Sequence, residues 1–218
     1  MKVGTDGVLL GAWVMVSNTK TILDIGTGTG LIALMLAQRS EAQIHAIEID
    51  TTAFFQAISN FDNCKWNKRI LAINDSFQNY CSSTDISYDL IVSNPPYFVN
   101  SYKTPEKNRN IARHADQLPF IELIRGVKKI LNQKGRFCVI LPKNEGEHFI
   151  HLCENEGIYC TKITKVRPRK EKIEKRLLIE LSKVKTKIFE DVLIIEKELR
   201  HHYTEEYINL TKSYYINF

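Results

Sequence analysis

The sequence predicts an α/β fold built on a seven-stranded, mostly parallel β-sheet with one antiparallel strand and helices on both faces. The first observation is that short apolar runs alternate with segments of helical apolar spacing over the first two-thirds of the chain. Such alternation is typical of parallel strands joined by helical crossovers. The second is a pair of β-rich runs near the C-terminus with no long helix between them, which indicates a hairpin and hence one antiparallel strand.

The individual elements follow in a regular order. Short β-rich runs bounded by turn residues are assigned as strands, and longer runs with apolar residues at helical spacing as helices. The predicted strands before the hairpin are TILDIG, QIHAIEI, RILAIND, YDLIVSN and GRFCVILP. The predicted helices are GLIALMLAQR, TAFFQAISNFDNCKW, FIELIRGVKKILNQ and EGEHFIHLCENEG, and the hairpin strands are GIYCTKITKV and EKRLLIELSKV.

The length of 218 residues suits one large domain. We expect a single domain over residues 1–218, with residues 188–218 as a C-terminal extension packed on it. Within this tail, EDVLIIE is compatible with one more strand. TEEYINLTKSYY indicates a short helix capped by Thr204.

Composition narrows the class of protein. A hydrophobic content of 44% and a charged content of 25% are ordinary for a globular domain, and no apolar run is long enough to cross a membrane. The start has no signal-peptide pattern, so a cytoplasmic protein is expected. The five cysteines are scattered without metal-ligand spacing, which indicates reduced thiols and no bound metal. A net charge of +5 permits a polyanionic partner without requiring one.

A glycine-rich loop, LDIGTGTG (residues 23–30), follows the first strand and opens a helix. Gly26, Gly28 and Gly30 would allow a tight turn and let a ligand approach the backbone. A dinucleotide-binding loop has a further glycine where this chain has Leu31, and Asp24 would disfavour a pyrophosphate. S-adenosylmethionine carries an ammonium group and no phosphate, so it fits better, with Asp24 as an acceptor for that group.

Two acidic residues end the next two strands. Glu48 lies roughly 20 residues past the loop, where an acid binds ribose hydroxyls in this fold class, and Asp50 is the better candidate for a helix N-cap. Asp75 could accept a hydrogen bond from an adenine amino group, with Ser76 or Phe77 beside it. A simple turn residue is an almost equally good interpretation of Asp75.

The stretch SNPPYF (residues 93–98) stops the fourth strand abruptly. Carboxyl ends of parallel strands form the ligand edge of such sheets, so this turn is expected at the site. The side-chain carbonyl of Asn94 and the backbone carbonyl of Pro95 could accept from the two hydrogens of a planar amine, and Tyr97 could stack on its ring. A strand-terminating turn is the alternative interpretation, and it would be preferred if the motif stood alone.

Together, KVGTDGVLLGAW, DIGTGTG, SNPPYF and ARH resemble the Rossmann-like class I S-adenosylmethionine-dependent methyltransferases with a (D/N/S)PP(Y/F) motif. Within that group the chain resembles the bacterial tRNA-Val (adenine at tRNA position 37)-N(6)-methyltransferase family over nearly its whole length. Members of that family usually carry a further segment before KVGTDG, so we expect a shortened start. The resemblance implies a methyltransferase that uses S-adenosylmethionine as cofactor and tRNA as partner. It implies cofactor contacts at Gly26, Gly28, Glu48 and Asp75, base contacts at Asn94 and Tyr97, and positions near the methionine end of the cofactor for Lys2, Thr5 and Asp6.

Two basic segments are candidates for RNA contact. Residues 100–114 follow the NPPY motif, and Arg113 and His114 are the preferred contacts there. Residues 162–176 hold eight basic and two acidic residues, among them Arg167, Arg169 and Lys170. Solvated surface charge is the alternative for each segment, but their combination favours RNA. We expect a monomer without membrane attachment.

Other activities share the same motif. A protein glutamine N(5)-methyltransferase acting on release factors would also need to position a planar, weakly nucleophilic nitrogen. Such enzymes typically carry a separate helical N-terminal domain, for which we expect no room in this chain, and this counts against that alternative. DNA or ribosomal RNA amino-methyltransferases, a nicotinamide oxidoreductase and an inactive RNA-binding module are the remaining alternatives.

Overall fold

A computed structural model of the chain describes residues 4–96 and 118–216, and their core is one eight-stranded sheet. The strand order across the sheet is β3-β2-β1-β4-β5-β7-β6-β8. Order reverses between β1 and β4, so a crevice forms outside their carboxyl ends. The strands are β1 (Thr21–Ile25), β2 (Gln43–Glu48), β3 (Ile70–Asn74), β4 (Tyr88–Ser93), β5 (Leu131–Pro142), β6 (Tyr159–Arg167), β7 (Arg176–Ser182) and β8 (Phe189–Ile194).

Seven α-helices are present in the described parts of the chain, with one 3₁₀ turn at Asn67–Arg69. Their caps follow ordinary chemistry, since Asp50, Ser76 and Thr204 each accept a backbone N–H of the first turn of the helix that they precede. The helices are α1 (Thr5–Trp13), α2 (Leu31–Arg39), α3 (Thr51–Asp62), α4 (Phe77–Ser83), α5 (Phe120–Ile130), α6 (Lys143–Asn155) and α7 (Glu205–Thr211).

The predicted sheet is confirmed with one difference in strand number. Strand β7 runs antiparallel to both β5 and β6, and every other pairing is parallel. The eighth strand is β8, which the sequence left open; it pairs in parallel with β6 from Lys162↔Phe189 to Arg167↔Ile194. The prediction of seven strands was therefore one short, because pairing with β6 turns the tail segment into an edge strand.

Side chains alternate between two cores on opposite faces of the sheet. Leu23 and Ile25 of β1 point into the core beneath α4, α5 and α6, whereas Ile22 points into the core beneath α1 and α2. Helix α1 is tied across the second core, because buried Trp13 Nε1 donates to Thr164 Oγ1 of β6 at 2.8 Å. This contact joins the start of the chain to its last third.

The structure also describes the cysteines, the potential metal ligands and the apolar character of the helices. All five cysteines are unpaired, and burial raises the pKa of Cys81 and Cys160 to about 12. Within residues 4–96 and 118–216, no cluster of three or more histidine, cysteine or carboxylate side chains could hold a metal ion. No helix of the same residues has the length and apolar character needed to span a bilayer.

Candidate active site

The glycine loop is held against the end of β2 by backbone hydrogen bonds. The N–H groups of Gly26 and Thr27 both donate to the Ile47 carbonyl oxygen, at 2.9 and 3.0 Å. The Gly28 N–H donates to Glu48 Oε2 at 2.8 Å. The loop and the predicted ribose-binding acid are therefore one hydrogen-bonded unit.

Left-handed backbone explains why the loop needs glycine. Gly26, Gly28 and Gly30 have φ angles of 69°, 59° and 86°, which other residues rarely adopt. At Gly30 a Cβ atom would also collide with the ring of Phe61 in α3. The three glycines predicted for the site are therefore required by backbone geometry and, at Gly30, by packing.

Glu48 is buried at the edge of the sheet with both carboxylate oxygens engaged. Oε2 accepts from Gly28, and Oε1 accepts from the Asp50 N–H at 2.9 Å. Asp50 in turn caps α3, accepting from the Ala53 N–H at 2.7 Å. Each oxygen retains a lone pair for a further donor, so Glu48 is a preoriented acceptor rather than a mobile charge.

Asp24 lies beneath the loop, fully buried. Its Oδ2 accepts from Thr27 Oγ1 at 2.6 Å and from the Ala33 N–H at 3.1 Å, whereas Oδ1 has no hydrogen-bond partner among residues 4–96 and 118–216. Burial raises the pKa of this carboxyl to about 7, and the nearby Glu48 charge adds to the rise. The structure thus leaves one buried acceptor atom without a donor beside the glycine loop.

A pocket of about 450 Å³ opens at the carboxyl ends of β1, β2, β3 and β4. Glu48 and Asp75 supply its carboxylates, and Gly26 supplies bare backbone. Asp75 Oδ1 accepts from the Ser76 N–H at 2.7 Å and from Asn79 Nδ2 at 3.1 Å, so its orientation is defined. The volume and the mixed lining are typical of a cofactor site.

The apolar walls of this pocket were missed by sequence reasoning, apart from Phe77. Ile49 follows Glu48 directly and is 57% exposed, and Leu118 and Pro96 also line the cavity. Large apolar side chains at a pocket mouth suit the flat face of a purine. The signal that could have found Ile49 is its place, since it ends the AIEI run one residue beyond the acid at the ligand edge.

The SNPPYF motif begins on this pocket. Ser93 is buried, and its Oγ donates to the Ile25 carbonyl oxygen at 2.9 Å, which joins the ends of β4 and β1. Ser93, Pro95 and Pro96 line the pocket, whereas Asn94 is half-buried at the end of the strand. Tyr97, predicted to stack on the target ring, lies outside the described residues, as does the segment 100–114 with Arg113 and His114.

Lys2, Thr5 and Asp6 were expected near the methionine end of the cofactor, but the structure does not place them beside Glu48 and Asp75. Asp6 forms an ion pair with Arg176 of β7 at 2.7 Å, and Thr5 lines a second cavity farther along the same edge of the sheet. Lys2 lies outside the described residues. None of these three is thus seen against the 450 Å³ pocket in the described part of the chain.

The basic hairpin of residues 162–176 is less basic in three dimensions than in sequence. Carboxylates of β8, of the residues that follow it and of the hairpin itself pair with four of its eight cations. The ion pairs join Lys162 to Asp191 at 3.9 Å, Lys165 to Glu190 at 2.6 Å, Arg167 to Glu174 at 3.4 Å and Arg169 to Glu196 at 3.2 Å. Lys170 is exposed, and no ion pair involves it within residues 4–96 and 118–216.

Comparison with known proteins gives a consistent picture. Residues 4–156 match the family model described as the methyltransferase small domain. The tRNA1(Val) (adenine(37)-N6)-methyltransferase of Flavobacterium psychrophilum is 46% identical over 218 residues, covering 99% of this chain and 93% of that protein. The protein of the same description from Trichodesmium erythraeum is 44% identical over 221 residues, covering 100% and 92%.

Solved structures extend the likeness at the level of fold. A predicted O-methyltransferase from Agrobacterium tumefaciens superposes with a TM-score of 0.74 at 19% identity, over 95% of this chain and 96% of the other. A glycopeptide N-methyltransferase complexed with S-adenosyl-L-methionine superposes with a TM-score of 0.61 at 11% identity, over 83% of this chain and 99% of the other. The chain therefore shares the overall fold of these proteins.

Proposed function

This chain belongs to the methyltransferase small domain family and to the tRNA1(Val) (adenine(37)-N6)-methyltransferases within it, and on that basis we propose that it methylates the exocyclic 6-amino group of adenine 37 in a valine tRNA, with S-adenosylmethionine as the methyl donor. The observation that carries the proposal is the junction of the glycine loop, Glu48 and the NPP turn at one pocket. The enzyme is a methyltransferase. The residues at the pocket indicate which side chains bind the cofactor and which orient the target amine.

The pocket fits S-adenosylmethionine by the chemistry of its donors and acceptors. Glu48 offers lone pairs to ribose hydroxyls, and Asp75 offers a carboxylate to the adenine amino group, with Ile49 beside it as an apolar wall. The orphaned Oδ1 of Asp24 lies under the glycine loop and suits an ammonium group. When bound, the cofactor supplies an electrophilic sulfonium methyl.

The residues of the NPP turn orient the nucleophile. The amine of adenine is weakly nucleophilic because its lone pair is delocalised into the ring. Acceptance of its two hydrogens by the Asn94 side-chain carbonyl and the Pro95 carbonyl favours a pyramidal nitrogen whose lone pair points at the methyl group. Proline limits the backbone freedom of this turn, and Ser93 fixes it to β1. Catalysis is therefore mainly positioning and electrostatic stabilisation.

The proposal is tested by methyl transfer from labelled S-adenosylmethionine to three acceptors in parallel: unmodified tRNA1(Val) transcript, release factor and duplex DNA. The expected result is label in the tRNA alone, released on digestion as N(6)-methyladenosine. A transcript with adenine 37 replaced by guanine serves as the matched control and should stay unlabelled. Label in release factor would reassign the acceptor to a glutamine amide, and label in DNA would reassign it to a deoxyadenosine.

A further inference from the structure

A second cavity, of about 510 Å³, opens at the same edge of the sheet as the cofactor pocket. Strands β6 and β8 end there at Arg167 and Ile194, and both run parallel to β4. Strand β8 is four neighbours from β4, which corresponds to roughly 19 Å at about 4.8 Å per strand. An RNA strand could span this distance from a target held at the NPP turn.

Aromatic side chains form much of the cavity, which we name the tyrosine pocket. Tyr203, Tyr207 and Tyr215 line it together with Pro168 and Ile195. The ring centroids of Tyr203 and Tyr207 lie 5.2 Å apart with the two ring planes tilted by 32°. Tyr207 is buried, whereas Tyr203 is only partly covered.

A hydrogen-bonded basic turn borders the tyrosine pocket. Residues 197–202 are closed by the Lys197 N–H donating to the His202 carbonyl oxygen at 2.7 Å. His201 adopts a left-handed backbone with φ of 66°, and its N–H donates to Glu196 Oε1 at 2.9 Å. Non-glycine residues hold such a conformation only where neighbouring contacts define it. These hydrogen bonds define the backbone of the turn that carries the exposed Arg200.

Arg200 differs from the cations of the neighbouring hairpin. Arg169 is held by the second oxygen of Glu196, and Arg167 is held by Glu174. Arg200 forms no ion pair within the described residues and lines the pocket with His201. An exposed guanidinium beside aromatic faces is a combination that binds unpaired nucleotides, through stacking of the base and charge on the phosphate.

We propose that the tyrosine pocket binds an unpaired nucleotide of the tRNA substrate, with its base against Tyr203 and its phosphate at Arg200. The inference rests on the proposed function, because it names a second contact for the same RNA. The tyrosine pocket then contributes to selective binding of the tRNA, whereas the NPP turn positions the amine that is methylated.

Steady-state methylation of unmodified tRNA1(Val) transcript tests the pocket, with four variants compared to the wild type. Arg200→Glu and Tyr203→Leu are expected to raise the KM for tRNA about fivefold or more, with kcat and cofactor affinity within about twofold. Tyr203→Phe keeps the aromatic face and should behave as the wild type. Lys134→Glu makes the same charge change at an exposed site on the opposite edge of the sheet and should also behave as the wild type.

The outcomes separate the pocket from the proposed function. If the wild type methylates no tRNA, the proposed function fails and this inference fails with it. If the wild type methylates tRNA but Arg200→Glu leaves KM within twofold, the nucleotide site is wrong and the proposed function stands. A rise in KM for Arg200→Glu with none for Tyr203→Leu also overturns the site, because it shows a surface charge without a stacked base. Since Arg200 is exposed, its variant keeps the test decisive if Tyr203→Leu is poorly folded.

Discussion

The Ser93 hydroxyl donates to the Ile25 carbonyl oxygen at 2.9 Å and so joins the strand before the NPP turn to the strand before the glycine loop. Ser93→Ala removes this bond and leaves a carbonyl at the ligand edge without that donor. We expect kcat to fall about tenfold, since a lost hydrogen bond of about 1 kcal/mol or more misaligns acceptor and donor sites together. A quenched time course of methyl transfer at saturating tRNA measures kcat for the variant and the wild type.

Thr21 provides the matched control for Ser93. Its Oγ1 donates to the Ser87 carbonyl oxygen at 3.2 Å and accepts from the Asp89 N–H at 3.1 Å, so it bridges the same two strands at their other end. Thr21→Ala should lower the melting temperature by a few degrees with kcat unchanged. Equal losses of kcat in both variants would mean that Ser93 acts through general stability.

Asn94→Ala removes the side-chain acceptor proposed for the target amine. The rate of transfer is expected to fall by roughly 10²-fold or more, whereas the dissociation constant for S-adenosylhomocysteine should change only a few-fold. Asn94→Asp keeps an oxygen acceptor and should retain more of the rate. Isothermal titration and single-turnover transfer on the same preparations provide both numbers. A parallel collapse of cofactor binding in Asn94→Ala would contradict the assigned role.

Glu48→Gln replaces an oxygen that accepts a backbone N–H with an amide nitrogen that cannot. One of the two donors, Gly28 or Asp50, then loses its acceptor, and charge-assisted bonds of this kind contribute about 1.5–3 kcal/mol. Affinity for S-adenosylhomocysteine should fall tenfold or more. Glu41→Gln, whose side chain is 95% exposed, is the control and should bind normally. Normal affinity in Glu48→Gln would exclude the carboxylate from cofactor binding.

The titration of Asp24 makes the folded protein less stable as the pH rises. Its pKa rises from 3.8 to about 7 on folding, so the native state binds more protons than the unfolded state between these values. The contribution of this raised pKa to the free energy of unfolding is complete below about pH 4 and is lost as the pH rises to about 7. The melting temperature of Asp24→Asn relative to the wild type should therefore increase from pH 4 to 7 and then level off.

Cofactor binding supplies the complementary test at Asp24. An ammonium group near Oδ1 would favour the ionised carboxylate and lower its pKa. Saturation with S-adenosylmethionine should therefore flatten the difference between Asp24→Asn and the wild type across the same pH range, measured by differential scanning fluorimetry. An unchanged pH profile would leave Asp24 as a support for the loop without contact to the ligand.

The link between the glycine loop and Glu48 at the candidate cofactor pocket could be predicted because it depends on local chain order. The order of strand, glycine loop and helix, and the spacing from Gly28 to Glu48, follow from chain connectivity, and the structure joins these two residues directly. Helix α1 was missed for the opposite reason. Gly7 and Gly11 lower its helix propensity, and only the approach of Met35 from α2, at 2.7 Å from the place of a Gly11 Cβ, explains why glycine is there.

The charge of the basic hairpin could not be predicted from its own residues. Glu190 and Asp191, which pair with Lys165 and Lys162, belong to β8, and their position depends on the parallel pairing of β8 with β6. A run of basic residues therefore overstated the charge of this face. The turn of residues 197–202 carries no sequence motif, yet Arg200 and His201 of this turn line an aromatic cavity.

The hydrogen bond from Trp13 to Thr164 also bears on the order in which the chain folds during its synthesis. These partners are 151 residues apart, and ribosomes add about 5–20 residues per second, so α1 waits roughly 8–30 s for its partner strand to be made. During that interval Leu9, Leu10 and Trp13 have no completed core to enter. Helix α1 can therefore pack on α2 early, but its bond to β6 forms only after the final third of the chain has been made.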